Sequence, residues 1–171
     1  VMSFPGGASH LYLLDSPDWI HGTADFTLEA WIRPNALSGQ HGIIGQFYNS
    51  SGSFSPMALI QDSGNANIYC SSTGSSWNIA LATPIDTVPA LAWTHLAITR
   101  SGGEIRGYKN AVLKRTIAAN SDLFNSTEVM LIGAVNTSGA NSFSGYIGAI
   151  LLTQGVALAP SQFMFSSPPQ A

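Results

Sequence analysis

Phe26-Thr27-Leu28-Glu29-Ala30-Trp31-Ile32-Arg33 decides the fold class. Apolar and polar residues alternate along it. Phe26, Leu28, Ala30 and Ile32 share one face, and Thr27, Glu29, Trp31 and Arg33 share the other, which is the two-residue period of a β-strand. Pro34 cannot donate to a ladder and marks the strand's end. A tryptophan among the polar positions implies that this second face is partly covered too. Working outward, similar stretches recur at 43–48, 57–61, 67–71, 93–100, 104–109, 112–118, 129–134 and 146–153. Ser50-Ser51-Gly52-Ser53, Asp62-Ser63-Gly64-Asn65, Ser101-Gly102-Gly103 and Thr137-Ser138-Gly139-Ala140-Asn141 punctuate them. Many short strands between Gly/Ser/Asn turns predict an all-β, antiparallel sandwich of two sheets. Nothing has the spacing of a βαβ unit.

Two hairpins are legible. Ser101-Gly102-Gly103 offers glycines for positive φ, and Lys109-Asn110-Ala111-Val112 reads as a tight turn. Helix is expected only as single turns at 16–20 and 160–163. With 171 residues, one core suffices, so residues 1–165 are read as one domain and 166–171 as a Pro/Ser tail. Only 9 % of residues are charged and the net charge is −3. The few Lys and Arg form no basic stripe, which argues against nucleic acid. The lone Cys70 cannot form an internal disulfide and falls in the apolar alternation with Ile68, so a buried, inert thiol is expected. No basic, apolar leader opens the sequence, so no signal peptide is expected. No apolar run approaches the roughly 18 residues that span a bilayer, so membrane insertion is not expected.

Asp25-Phe26-Thr27-Leu28-Glu29-Ala30-Trp31-Ile32-Arg33-Pro34 resembles the early strand of laminin-G-like, concanavalin-A-like jelly rolls. Trp93-Thr94-His95-Leu96-Ala97-Ile98-Thr99-Arg100 and Ile105-Arg106-Gly107-Tyr108-Lys109-Asn110 resemble the hairpin that follows in that fold. Phe143-Ser144-Gly145-Tyr146-Ile147, continuing to Phe163, resembles its closing strand. The closing segment and the opening Ser16-Pro17-Asp18-Trp19 are similar to versions found in phage virion proteins. Ala111 stands where the family often has Gly, and Gly148-Ala149 stand where it commonly has an acidic pair. The resemblance implies a jelly-roll sandwich and a fold that hosts lectins, glycanases, adhesion modules and virion parts.

Glycanases of this architecture carry two carboxylates close together on one strand. Here Glu29 and Glu104 each stand alone, and Asp15 and Asp18 sit in Asp-Ser-Pro-Asp, a turn-capping context. His10, His21, His41 and His95 lack zinc spacing. No catalytic residue is assigned and no enzyme is expected. No cofactor is expected either; calcium is the one metal left open, with Asp15, Asp18, Asp25 and Asp62 as the only plausible donors. Sugar recognition needs aromatic faces with amides and hydroxyls. Trp19, Tyr48, Trp77, Asn78, Asn136 and Asn141 lie in or beside the expected loops and are the candidate ligand-binding residues. Trp31 and Trp93 are assigned to the core or its edges. Asn49-Ser50-Ser51, Asn125-Ser126-Thr127 and Asn136-Thr137-Ser138 match the glycosylation pattern, which has meaning only in a secreted eukaryotic protein.

The first functional reading is a non-enzymatic virion surface module, either a capsid decoration or a tail-associated domain, that partners other virion proteins or itself as a homo-oligomer. The alternative is a carbohydrate-binding lectin domain facing a cell-surface glycan. A glycoside hydrolase or lyase ranks third. Either of the first two places the protein on a virion or outside the cell.

Overall fold

A computed structural model describes residues 1–19, 21–47, 57–163 and 167–169. Two six-stranded sheets face each other, and every strand pair within them is antiparallel. The strands are β1 (Met2–Pro5), β2 (Leu11–Leu13), β3 (Phe26–Pro34), β4 (Gln40–Gly45), β5 (Met57–Asp62), β6 (Asn65–Cys70), β7 (Ala80–Thr87), β8 (Thr94–Ser101), β9 (Glu104–Lys109), β10 (Val112–Ala118), β11 (Met130–Ile132) and β12 (Ser144–Gln154). The first sheet runs β1-β12-β3-β8-β9-β10 and the second β2-β11-β4-β5-β6-β7. This is the expected jelly-roll sandwich.

The alternation read at 26–32 sets the packing. Phe26, Leu28, Ala30 and Ile32 enter the core with Leu96, Ile98, Ile105 and Ile147 of the same sheet. Met57, Leu59, Ile68, Cys70, Met130 and Ile132 meet them from the second sheet. Each fully buried aliphatic side chain contributes roughly 1.5–3 kcal/mol. The second face of β3 is also covered, as Trp31 implied. Thr27 Oγ1 donates to the Val156 carbonyl at 2.9 Å and accepts from the Leu158 amide at 2.8 Å. Phe163 then packs on His95 and Tyr108. Pro169, within the stretch read as a tail, lies against Gly148 beside Trp31.

Three strands have no counterpart in the sequence reading. β1 and β2 are short, and all three residues of β2 are exposed. β7 contains Pro84, which argues against a central strand; it forms because it lies at the sheet edge, where a missing donor costs little. Pro34 is itself the last residue of β3, paired with Gly145. The 109–112 turn forms as expected, with Asn110 at φ 49° and Ala111 at φ 63°. The single helical turns are Pro17–Trp19 and Pro160–Gln162.

One rim is tied by a buried cation. Arg100 is 1 % exposed. Its guanidinium donates to the Ala119 carbonyl at 2.8 Å, the Ser121 carbonyl at 2.7 Å and the Gly22 carbonyl. His21, next to Gly22, stacks on Phe26, and its Nδ1 is buried without a hydrogen-bond partner among the described residues. Burial above all, with the nearby Arg100 charge, holds His21 down at about 4.

Candidate functional site

The second sheet has two faces with different roles. Met57, Leu59, Ile68 and Cys70 point inward, so Ala58, Ile60 and Tyr69 point out, and they pair across β5 and β6 accordingly. With Phe47 and Leu131 they form a separate buried apolar cluster on the far side of the sheet from the main core. This second cluster is buried on the face of the sheet turned away from the main core, with Trp77, Val129 and Val135 packed against it.

Two loops wall this patch into a groove. The loop after β11 folds back across β4. It can do so because residue 42 is glycine, and a Cβ there would overlap the Ala134 carbonyl. This brings Val135 and Asn136 beside Gln40. The opposite wall is the Ser/Thr/Asn-rich loop at 71–78. Ser71 Oγ accepts from the amides of Thr73 at 3.2 Å and Gly74 at 2.9 Å. Asn78 Oδ1 accepts from the Ser72 amide at 3.0 Å, and Asn78 Nδ2 donates to Ser72 Oγ at 2.7 Å. Gly74 adopts φ 69°, and a Cβ there would sit 2.6 Å from the Phe124 ring, so the loop is seated closely. Thus held, it sets Trp77 edge-on to Tyr69, with ring centroids 5.1 Å apart and planes at 69°.

The groove encloses about 250 Å³ and is lined by Gln40, Phe47, Ile60, Tyr69, Trp77, Val135 and Asn136. A chain of amides crosses its floor. Asn141 Nδ2 donates to Gln40 Oε1 at 3.2 Å, and Gln40 Nε2 donates to Tyr69 Oη at 3.1 Å. The tyrosine oxygen thus accepts, and its own proton is left to donate. Asn136 Oδ1 accepts from the Ser138 amide, the Ser138 hydroxyl and the Ala140 amide at 3.1, 2.7 and 2.8 Å. Its Nδ2 has no hydrogen-bond acceptor among the described residues. Burial first, then the Asp62 charge, pushes the Tyr69 hydroxyl above its ordinary value, against the opposing hydrogen bond from Gln40.

The candidate residues separate accordingly. Trp77 and Asn136 line the groove directly, and Asn141 acts on it through Gln40. Asn78 holds the loop, with its amide committed to Ser71 and Ser72. Trp19 is elsewhere. Its indole donates to the Leu14 carbonyl at 3.1 Å and lines an apolar cavity between the sheets with Leu28, Met130 and Leu152. Tyr48 and the sequon at Asn49 lie outside the described residues. Phe47, Ile60, Tyr69 and Gln40 were missed because their positions read as ordinary strand residues. The signal that existed was the alternation itself: Ala58, Ile60 and Tyr69 are apolar on the face opposite to the core.

The outer face of the first sheet holds a different pair. Glu29 Oε2 lies 3.1 Å from His95 Nε2, and both side chains are buried. β3 and β8 pair so that Trp31 faces His95 and Glu29 faces Ala97. Burial pulls the imidazole below its ordinary value and the carboxylate opposes this. Phe163, Trp31 and Asn110 line a recess that reaches His95. The four aspartates considered for calcium each accept a hydrogen bond from a neighbour: Asp15 from Gln46, Asp18 from Ser16, Asp25 from Ser101 and Asp62 from Ser63. Among the described residues no three His, Cys, Asp or Glu side chains cluster as metal ligands would. No helix among them is long and apolar enough to cross a membrane.

The sequence profile of the concanavalin A-like lectin/glucanases superfamily matches residues 5–158. The chain belongs to this superfamily. Several solved structures share the fold. Domain 4 of AbnA, an extracellular arabinanase from Geobacillus stearothermophilus solved with arabinotriose, superposes with TM-score 0.66 at 22 % identity, covering 93 % of this chain and 72 % of that one. The binding domain of botulinum neurotoxin serotype G gives TM-score 0.66 at 16 % identity, over 94 % of this chain and 40 % of that one. A leech intramolecular trans-sialidase gives TM-score 0.65 at 16 % identity, over 90 % of this chain and 26 % of that one. The chain therefore spans less than half the length of the latter two. No curated protein matches it in sequence.

Proposed function

We propose that this superfamily member is a non-enzymatic carbohydrate-binding module whose sugar site is the groove on the second sheet. The observation that carries the reading is the pairing of Trp77 and Tyr69 with two uncommitted donors, the Tyr69 hydroxyl and the Asn136 amide. Aromatic surface takes the C–H face of a sugar, and the donors orient its hydroxyls. About 250 Å³ suits one sugar unit held at the surface. A binding rather than a hydrolytic role fits Glu29, whose neighbour is a histidine instead of the second carboxylate that glycoside hydrolysis requires. Neighbours solved with arabinotriose or described as toxin binding domains support the same class of function. An extracellular location follows from it.

Titration calorimetry against a panel of oligosaccharides, arabinotriose included, tests the proposal. Trp77→Ala is expected to abolish measurable binding, and Tyr69→Phe to weaken it by about tenfold, the worth of a well-placed hydrogen bond. A folded Trp77→Ala protein that binds as well as wild type refutes the site.

A virion surface role with self-association is a second reading, favoured by the free edge of the second sheet. There Leu11, Tyr12, Leu13 and Leu14 are 47, 59, 47 and 74 % exposed. A row of exposed apolar residues on an unpaired edge invites another strand. Light scattering that shows a monomer at high concentration would exclude the self-association; a closed oligomer would support it.

A further inference from the structure

We infer that the groove selects neutral glycans and rejects anionic ones. The inference rests on the groove being the sugar site and concerns which sugars it takes.

The distribution of cations carries it. The chain has six Lys and Arg residues. All lie on strands of the first sheet: Arg33 on β3, Arg100 on β8, Arg106 and Lys109 on β9, Lys114 and Arg115 on β10. Residues 1–32, 34–99 and 116–171 contain none. Those stretches supply every strand of the second sheet and both walls of the groove.

Each of the six also has partners on the first sheet, at its rim or on the β7 edge. Arg33 donates to the Leu91 carbonyl at 3.2 Å and covers the Tyr146 ring. Arg100 is buried against three carbonyls. Arg106 pairs with Glu104. Lys109 and Lys114 both pair with Asp86, at 3.5 and 3.0 Å, and Lys109 also donates to the Thr87 carbonyl at 2.6 Å. Arg115 donates to the Pro84 carbonyl at 2.8 Å. Asp86, Thr87 and Pro84 belong to β7, so these last three cations are fastened to the sheet edge.

The histidine next to Gln40 in sequence, His41, pairs with Gln61 on the opposite face of the sheet and does not line the groove. Its two ring nitrogens lie 2.8 Å from the Ser142 and Ser38 carbonyl oxygens, which hold the ring against the loops on that side of the sheet. The donors that remain, the Tyr69 hydroxyl and the Asn136 amide, are neutral. The formal charge that acts on the Tyr69 hydroxyl is that of Asp62, which is negative.

A sugar hydroxyl is satisfied by such donors. A carboxylate or sulfate entering the same groove sheds water without meeting a countercharge, and an unpaired charge is far costlier to desolvate than a hydroxyl. Sialylated, uronic and sulfated glycans are thus disfavoured, and neutral pentose or hexose units are the expected ligands.

The test is an array that pairs each neutral oligosaccharide with its sialylated, uronic or sulfated counterpart, probed with wild type, Trp77→Ala and Gln40→Arg proteins. Neutral members are expected to be retained, with each anionic partner weaker by roughly tenfold or more, a ratio set by the missing countercharge. Gln40→Arg keeps a donor for Tyr69 and adds a cation, and should raise anionic over neutral binding about threefold, in line with one exposed ion pair. Anionic partners that bind as tightly as neutral ones, and are lost with Trp77→Ala, overturn the selectivity while leaving the site in place. Wild-type protein that retains no glycan of either charge overturns the site and the selectivity together.

Discussion

Lowering the pH through the histidine range acts on this fold at His21. The side chain is 5 % exposed, stacks on Phe26 and has an Nδ1 with no hydrogen-bond partner among the described residues. Burial, with the Arg100 charge beside it, takes its proton affinity from an ordinary 6.5 down to about 4. The unfolded chain therefore binds a proton that the native chain refuses, and stability rises with pH across that interval. Above 6.5 the contribution is fully present; it is lost progressively as pH falls toward 4. At about 1.4 kcal/mol per pH unit, the loss reaches about 3 kcal/mol at pH 4. That is a large fraction of the 5–15 kcal/mol typical of a domain. Urea denaturation between about pH 7.5 and pH 4 measures it. The comparison is with His21→Phe and His21→Leu, which keep an apolar group on Phe26 and leave every other group unchanged. Either variant should lose about 3 kcal/mol less than wild type over that span. Parallel stability curves for wild type and both variants would refute the burial argument for His21.

Glu29→Ala removes a buried hydrogen-bond partner of His95 and should cost about 1–3 kcal/mol in urea denaturation; a change under about 0.5 kcal/mol would mean that the pair is not buried in solution. Cys70 lies in the core, and burial pushes its thiol up to about 12. A thiol reagent should thus leave native protein unlabelled and react fully in urea; rapid native labelling would contradict the packing of β6. Glycan binding by the groove is expected to be equal with calcium and with chelator, because the amides and hydroxyl that line it need no ion; calorimetric loss on chelation would show otherwise.

Much of the fold was legible because it follows from local rules. The alternation at 26–32 announced a strand with one core face, and the turn residues at 101–103 and 109–112 marked hairpin strands that the structure places at 104–109 and 112–118, with a bulge between Leu113 and Arg115 that the sequence did not reveal. Trp31 on the polar side foretold cover on the second face, although Phe163 as its source was not visible. Cys70 was readable as buried from its place in the pattern. β7 was not, since Pro84 is compatible with a strand only at an edge, and edges are defined by the whole sheet.

The site divides in the same way. Sequence alone supplied the residue types, Trp77 and Asn136 among loop residues rich in Ser, Thr and Asn, and it fixed the lack of cations in every stretch that builds the second sheet. It could not assemble them. Gln40, Tyr69, Trp77 and Asn136 are separated by up to 96 residues and meet only because β4, β5 and β6 are neighbours and residue 42 has no side chain to hold the 133–141 loop away. Likewise Glu29 and His95, 66 residues apart, form a pair only through the β3–β8 register. Periodicity decides which face a side chain takes; strand order decides which distant side chains share it.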